Sequence, residues 1–452
     1  MKIFTGIFLL AICIAVGCTA LDISARNLIG EWNGQLKVTP QMKLKLVFHI
    51  EDKAISLDSP DQGAYGIPGE LVFLSEDSVN LRIPKIMAGF SGALKGDALS
   101  GEFQQGGVRL PLELTRGVSK LNRPQTPQPP FPYTTEELKI TTEAGTIAGT
   151  LTIPENADKN TPLAILVTGS GPQNRDEELF EHKPFAVIAD HLARCGVASF
   201  RYDDRGMGES TGDMMSATTA DFAADTQAAL NHLKNTGRFG KTGIIGHSEG
   251  GLIAYMLGAK PKTLDFVVSI AGPSIKGSKT IGFQNKAALL KSGIPEKEAD
   301  DFSQAMEATL EYKLGHPEAL EVSDALIAEI YPQYDSSPVT KQLGESLMAV
   351  LSEKVSNPWM FYFVGYDPAS DLKKLQVPTL IIYGEKDMQV PPALNADLAR
   401  RLAPEAKVKE FPQLNHLMQH ATTGDSTEYR EIEETISPEV LEAISDFILS
   451  CL

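Results

Sequence analysis

Apolar positions fall into two rhythms along the chain. From about Asn27 to Arg116 they alternate with polar ones: Leu44, Leu46, Phe48 and Ile50, then Val79, Leu81 and Ile83, then Leu110, Leu112 and Leu114. Turn chemistry separates these runs at Ser59-Pro60-Asp61-Gln62-Gly63 and Lys95-Gly96-Asp97. A period of two with frequent turns predicts a small all-β sandwich or barrel over 27–117, each strand having one wet and one core face. From Glu137 onward the rhythm changes. Leu138–Ile140 and Thr146–Ile153 predict an opening hairpin, and then short, wholly apolar runs follow: Leu163–Val167, Val197–Phe200, Gly243–Ile245, Phe266–Ile270, Leu380–Tyr383 and Val408–Phe411. Buried strands spaced by amphipathic helical stretches predict an α/β domain over 134–452, with a mostly parallel sheet covered on both faces.

Between about 273 and 375 the alternation stops. The pattern there is helical, with Ala287, Leu289 and Leu290, then Phe302, Met306 and Leu310, then Leu347, Val350 and Leu351. It contains the aromatic cluster Trp359-Met360-Phe361-Tyr362-Phe363. An insertion between two core strands predicts a helical cap over the carboxyl edge of the sheet, with most of these aromatics as cap core. The stretch 118–133 holds Pro124, Pro127, Pro129, Pro130 and Pro132 and predicts an extended linker between the two domains.

The first twenty residues read as an export signal. Lys2 precedes an almost wholly apolar run from Ile3 to Val16, and small residues follow before Leu21. The run falls short of the roughly 20 residues a spanning helix needs. The expected mature protein is exported and periplasmic. Ala15-Val16-Gly17-Cys18 resembles a lipoprotein box without its usual leucine, so contact with a membrane is expected only through a lipid on Cys18. Of four cysteines, the two outside this segment, Cys195 and Cys451, form neither a disulfide framework nor a metal spacing. A net charge of −17 argues against nucleic acid or an anionic membrane surface as partner. In the front domain Trp32 and Tyr65 are candidate exposed aromatics for a binding surface, with core or rim as the plainer reading.

The candidate chemistry centres on Gly246-His247-Ser248-Glu249-Gly250. This Gly-x-Ser-x-Gly pattern places a serine on a sharp strand-to-helix turn. About 0.15 matches are expected by chance in a chain of this length, and a second match stands at Gly208-Glu209-Ser210-Thr211-Gly212. Context separates them. Ile244-Ile245 precede Ser248 as a buried strand, and Leu252, Ile253, Tyr255, Met256 and Leu257 follow as an apolar helix. Ser210 lies among charged and glycine-rich turn residues, which makes it the decoy.

A serine nucleophile needs a histidine to take its proton and a carboxylate to orient that histidine. Two histidines fall late in the chain, His416 and His420. The candidate acid is Asp387, just past an apolar strand; Asp371 and Glu385 are its rivals, Asp371 at the wrong edge and Glu385 harder to exclude. His416 follows the last strand. His420 is read as a solvated side chain, since no third ligand completes a metal pair, and His247 as a wall of the pocket. No metal and no cofactor is expected. For an oxyanion, the expected donors are the backbone N–H of Glu249 and one from Thr168-Gly169-Ser170-Gly171-Pro172, with Gly171 preferred over Ser170. Asp203-Asp204-Arg205-Gly206 is read as a structural turn held by an Arg205–carboxylate pair.

The run Val167 to Asp176, then His182-Lys183-Pro184-Phe185, then Arg201 to Ser210, then the elbow, resembles the serine aminopeptidase-like branch of the α/β-hydrolase superfamily. The front domain, with Trp32-Asn33-Gly34, is similar to the β-rich module preceding such hydrolases in exported bacterial proteins. The resemblance implies a Ser-Asp-His triad, which maps onto Ser248, Asp387 and His416. It departs at Gly169-Ser170-Gly171, where many relatives carry His-Gly-Gly. The expected activity is hydrolysis of carboxylic esters through an acyl-enzyme, on a small-molecule ester or an acylated saccharide or peptide. The alternatives are an aminopeptidase-type peptidase or amidase, which would need a pocket carboxylate for a free amino terminus, and a non-catalytic binding protein on the same fold.

Overall fold

The computed structural model describes residues 28–38, 43–51, 54–62, 64–117, 121–316, 341 and 357–452. The export segment and the Leu347, Val350 and Leu351 part of the cap lie outside them. The chain divides into two compact units, 1–120 and 121–452.

The first unit is a closed barrel of eight strands in sequence order: β1 (Gly30–Lys37), β2 (Lys43–Ile50), β3 (Ile55–Ser59), β4 (Ala64–Leu74), β5 (Ser78–Ile83), β6 (Ala88–Lys95), β7 (Ala98–Gln105) and β8 (Val108–Arg116). Each pairs antiparallel with the next, and β8 returns to β1 through Trp32↔Arg116 and Asn33↔Thr115. Closure leaves no open edge to pair with another chain. The inside is filled by alternating residues, the predicted Phe48, Leu81 and Leu114 together with Leu57, Phe90 and Leu99. Trp32 belongs to this core at 1% exposure, donating its indole N–H to the Leu28 carbonyl at 2.8 Å, so it offers no surface for binding. Tyr65 is 46% exposed.

The second unit is an α/β domain. Its eight-stranded sheet contains β9 (Tyr133–Thr141), β10 (Thr146–Pro154), β11 (Leu163–Val167), β12 (Ala198–Tyr202), β13 (Thr242–His247), β14 (Phe266–Ile270), β15 (Thr379–Gly384) and β16 (Lys407–Phe411). They lie in the order β16-β15-β14-β13-β11-β12-β10-β9. The β9–β10 hairpin is antiparallel and β10 pairs antiparallel with β12; every other neighbour pair is parallel. The predicted α/β class is therefore what the chain adopts. After β11 the chain runs outward to β12 and returns on the other side of β11 to make β13. That reversal opens a crevice at the carboxyl ends of β11 and β13.

Helices cover both faces because β11, β13, β14 and β15 are buried along their whole length. One face packs against α1 (Pro184–Arg194) and the C-terminal helix; the other packs against α2 (Thr219–Asn235) and α3 (Glu249–Gly258). α2 starts with a reciprocal cap, in which the Thr218 hydroxyl accepts from the Asp221 N–H and the Asp221 carboxylate accepts from the Thr218 N–H. Between β14 and β15 the described insertion is helical as expected: α4 (Gly277–Lys291), α5 (Glu296–Gly315), α6 (Pro358–Gly365) and α7 (Ala369–Leu372). Asn357 caps α6, accepting from the N–H groups of Trp359 and Met360, with Pro358 at the first helical position. Two helices complete the unit: α8 (Pro392–Leu402) and α9 (Pro438–Ser450).

The proline-dense stretch from 121 onward lies against this second unit. Arg123 donates to the backbone carbonyls of Phe180, Arg430 and Ile432, and Gln125 donates to that of Ile436.

Candidate active site

The end of β13 carries Ser248 at φ +53°, ψ −113°, a strained conformation for any residue with a Cβ. Sequence explains how the turn closes. A Cβ on Gly246 would collide with the Gly250 carbonyl, and one on Gly250 would collide with that of Val167. The Ser248 N–H donates to the Ile270 carbonyl at 2.8 Å, and its own carbonyl accepts from Gly251 at 2.9 Å as α3 begins. Backbone bonds on both sides hold the strained residue in place.

Asp387 and His416 reach the same edge from the loops after β15 and β16. The imidazole Nδ1–H donates to Asp387 Oδ2 at 2.7 Å, while Asp387 Oδ1 accepts from the N–H groups of Gln389 and Val390, both at 2.8 Å. Three donors fix the carboxylate, and the carboxylate fixes the tautomer that leaves His416 Nε2 as the basic nitrogen. Asp387 is 2% exposed and His416 4%. Ser248 and His416 line one cleft of about 280 Å³. Its apolar wall comes from Pro273, Ile281, Trp359, Phe363, Val390 and Leu417.

The rival residues lie elsewhere. Glu385 is exposed and accepts from the Gln413 N–H at 3.2 Å. Asp371 accepts from the Tyr366 hydroxyl at 2.6 Å, away from the cleft. His420 is exposed and pairs with Glu434 at 2.9 Å. Among the described residues no group of three acids, histidines or cysteines could hold a metal ion.

For the oxyanion donors the structure separates the two choices in the loop after β11. Gly169 and Ser170 border the cleft; Gly171 does not, and a Cβ on it would meet nothing within 4 Å. The preferred Gly171, at φ +94°, is therefore not among the residues that border the cleft. The Gly169 N–H is already committed to Glu177 Oε1 at 2.7 Å. Glu249 follows the serine, with its N–H at the start of α3 and its carboxyl group buried. That carboxyl accepts from the Thr219 hydroxyl at 2.6 Å and the Trp359 indole N–H at 2.9 and 3.0 Å. Burial among neutral donors raises its affinity for a proton.

Two residues beside the cleft had no role in the sequence reading or only a passive one. Glu177, at φ +51°, turns its carboxylate inward, and His247 binds it through Nδ1 at 2.9 Å. The adjacent Asp203–Gly206 turn is held from outside itself. Arg205 pairs with Asp225 of α2 at 2.7 Å, Arg175 with Asp203 at 2.7 Å, and Asp204 accepts from the Thr168 hydroxyl at 2.8 Å.

A family model of the alpha/beta hydrolase fold matches residues 165–421, from β11 to the loop that carries His416. The chain belongs to the alpha/beta hydrolase fold family. Within this family it is similar to esterase EstD of Thermotoga maritima, at 27% identity over 290 residues, 64% of this chain. The match spans 61% of that relative's length. Solved alpha/beta structures similar to it include a Pyrococcus furiosus esterase, at 15% identity and a TM-score of 0.43 over 74% of this chain and 99% of that one. Another is a proline iminopeptidase of Mycobacterium smegmatis, at 16% identity and a TM-score of 0.41 over 69% and 98%.

Proposed function

We propose that the chain is an exported serine hydrolase that cleaves carboxylic esters, with Ser248 as nucleophile, His416 as base and Asp387 as its orienting acid. The observation that carries this reading is the 2.7 Å Asp387–His416 hydrogen bond on the cleft that Ser248 also lines. His416 Nε2 takes the proton of the Ser248 hydroxyl as Oγ attacks the acyl carbon. The oxyanion is stabilised by the N–H groups of Glu249 and Ser170. His416 then returns its proton to the departing alcohol, and water, deprotonated by the same nitrogen, releases the acid from the acyl-enzyme.

The charge of the cleft favours an ester with a neutral acyl group over a peptide with a free amino terminus. Glu177 is the carboxylate among the described lining residues, and His247 already neutralises it. An ammonium group entering the cleft would have to displace that partner. The relative from Thermotoga maritima, described as an esterase, supports the same side of the choice. The Lys2–Leu21 segment, with its apolar run and small residues, supports export to the periplasm.

The test compares chromogenic acyl esters with aminoacyl anilides. Wild-type protein is expected to hydrolyse the esters, and Ser248→Ala to lose at least about 10⁴-fold in kcat. Turnover of the anilides in preference to the esters would overturn the ester assignment, and activity surviving in Ser248→Ala would overturn the nucleophile.

A further inference from the structure

His247 precedes the proposed nucleophile and is 8% exposed, yet both of its ring nitrogens face acceptors. Nδ1 lies 2.9 Å from Glu177 Oε1, and Nε2 lies 3.0 Å from the backbone carbonyl of His416. A carboxylate and a carbonyl can only accept, so a neutral imidazole, with one N–H, would leave one of these contacts as two facing lone pairs. The arrangement is satisfied when the ring carries two protons. A plain core histidine would be expected to bond any convenient backbone group. This one bonds the carbonyl of the residue whose side chain serves as the base, and its ring stands 4.8 Å from the ring of that residue.

The other half of the pair reaches the remaining loop. Glu177 Oε1 accepts both from His247 and from the Gly169 N–H at 2.7 Å, and Gly169 immediately precedes the proposed oxyanion donor Ser170. A Cβ on Gly169 would lie 3.2 Å from the Ser248 Cβ, so this loop is pressed against the elbow. One carboxylate–imidazole pair therefore ties the Gly169–Ser170 loop, the end of β13 and the His416 loop into a single hydrogen-bonded chain around Ser248.

We propose that His247 is an imidazolium paired with Glu177, and that this pair is a positioning device which holds the oxyanion loop and the His416 loop in register with Ser248. His247 touches no reacting atom; it acts through the His416 backbone. The charged and titratable groups that face it are Glu177 from the loop after β11, Asp387 from the loop after β15, and the His416 ring from the loop after β16; Tyr429 also lines the cleft. Burial alone would lower the ring's affinity for its second proton. The Glu177 carboxylate, the His416 carbonyl and the Asp387 charge outweigh that and hold the proton above the ordinary histidine range. A group raised in this way supports the fold below its ordinary value and loses its contribution as pH rises through the raised one. The loops are accordingly held together below the ring's raised titration and released above it.

The decisive measurement needs no substrate. In full-length protein labelled with ¹⁵N in its histidine rings, the His247 signals, assigned by their loss in His247→Gln, are expected to show both ring nitrogens protonated at pH 7. Glu177→Gln is expected to lower the ring's proton affinity by at least roughly tenfold, since it removes the counter-charge and keeps the shape. A neutral His247 ring at pH 7, or an unchanged titration in Glu177→Gln, would overturn the ion pair.

The second arm rests on the ester-hydrolase reading. Wild-type kcat on a short acyl ester is expected to fall on the alkaline side, and Glu177→Gln to move that fall to lower pH by about one unit. In His247→Gln the alkaline fall should vanish and kcat drop by up to roughly 10²-fold with little change in KM, as for a base displaced by about 1 Å. Superimposable pH profiles in all three proteins would overturn the positioning role. Failure of the wild type to hydrolyse any ester would overturn the proposed activity instead, with the ring signals still deciding the charge state of His247.

Discussion

Two Gly-x-Ser-x-Gly pentapeptides in this chain end in opposite physical states. Ser248 stands half-buried on a strained turn at the edge of a cleft, its backbone bonded on both sides. Ser210 is 7% exposed, and its hydroxyl is consumed by the fold: it donates to the Asp203 carbonyl at 2.7 Å and accepts from the Ala148 N–H at 2.8 Å. The glycines differ in the same way. Those around Ser248 let strand, turn and helix touch one another. Gly208 sits at φ +49° where a Cβ would strike the Asp203 carboxylate, so it serves a loop wrapped around an ion pair. The pentapeptide therefore specifies only a sharp bend. Whether the serine is presented or buried is set by its flanks, an apolar strand and helix in one case and polar turns in the other.

The widest contrast is in turnover. Ser210→Ala is expected to keep ester hydrolysis within about twofold of wild type, against the loss of at least about 10⁴-fold for Ser248→Ala, as read by kcat on one chromogenic ester. A comparable loss in both would erase the distinction. Next in size is the pair of candidate acids. Asp387→Asn is expected to reduce kcat by about 10⁴-fold, because an amide can present its NH₂ to Nδ1 and stabilise the wrong imidazole tautomer. Glu385→Gln, on an exposed carboxylate, should leave kcat within about twofold. Equal effects would mean that the 2.7 Å Asp387–His416 bond does not orient the base.

What could be read from the chain, and what could not, divides along similar lines. The buried strands β11, β13, β14 and β15 were legible because unbroken apolar runs between turn residues have few alternatives. In the barrel, β2, β5 and β8 were legible by alternation, whereas β6 and β7 hold glycine and alanine at positions such as Gly92 and Gly101, where strands crowd together and no large side chain fits. That Asp387 and His416 meet at the carboxyl edge of the sheet was legible from strand order. Glu177 was not legible, because three consecutive acids, Asp176, Glu177 and Glu178, look alike in sequence, and although Glu178 is buried too, beside Lys183, Glu177 alone of the three lines the cleft. The oxyanion loop was not fully legible for a related reason: composition does not say which of Gly169, Ser170 and Gly171 border the cleft, and the structure puts Gly169 and Ser170 there. Trp32 stayed open between a binding surface and the plainer core reading because alternation alone does not say which face of a strand is the inside of a barrel; it lies in the core.

A smaller contrast concerns folding. Ser210→Ala removes the acceptor of a buried backbone N–H, that of Ala148, as well as a donor to the Asp203 carbonyl, so it is expected to cost about 1–3 kcal/mol in denaturant unfolding. Ser248→Ala removes a hydroxyl from the cleft surface and should leave the unfolding midpoint nearly unchanged. Serine for serine, stability and activity are thus expected to trade places.

The least effect is expected one residue further on, where the two motifs again diverge. Thr211, after Ser210, accepts from the Thr146 N–H at 2.9 Å at the protein surface. Glu249, after Ser248, accepts from Trp359, so the elbow grips the cap helix that forms one wall of the cleft. Trp359→Phe keeps a ring in that wall, stacked as Trp359 is on Phe363, but removes the indole N–H from a buried carboxyl group. The expected cost is about 1 kcal/mol of stability. Glu249 also supplies a proposed oxyanion N–H, so kcat should fall by a few-fold while the ranking of acyl chains shifts toward those that fill the space left by the smaller ring. An unchanged kcat with a changed acyl ranking would make Trp359 only a wall; both changes together would mean that the cap and the oxyanion donor are mechanically joined through one carboxyl group.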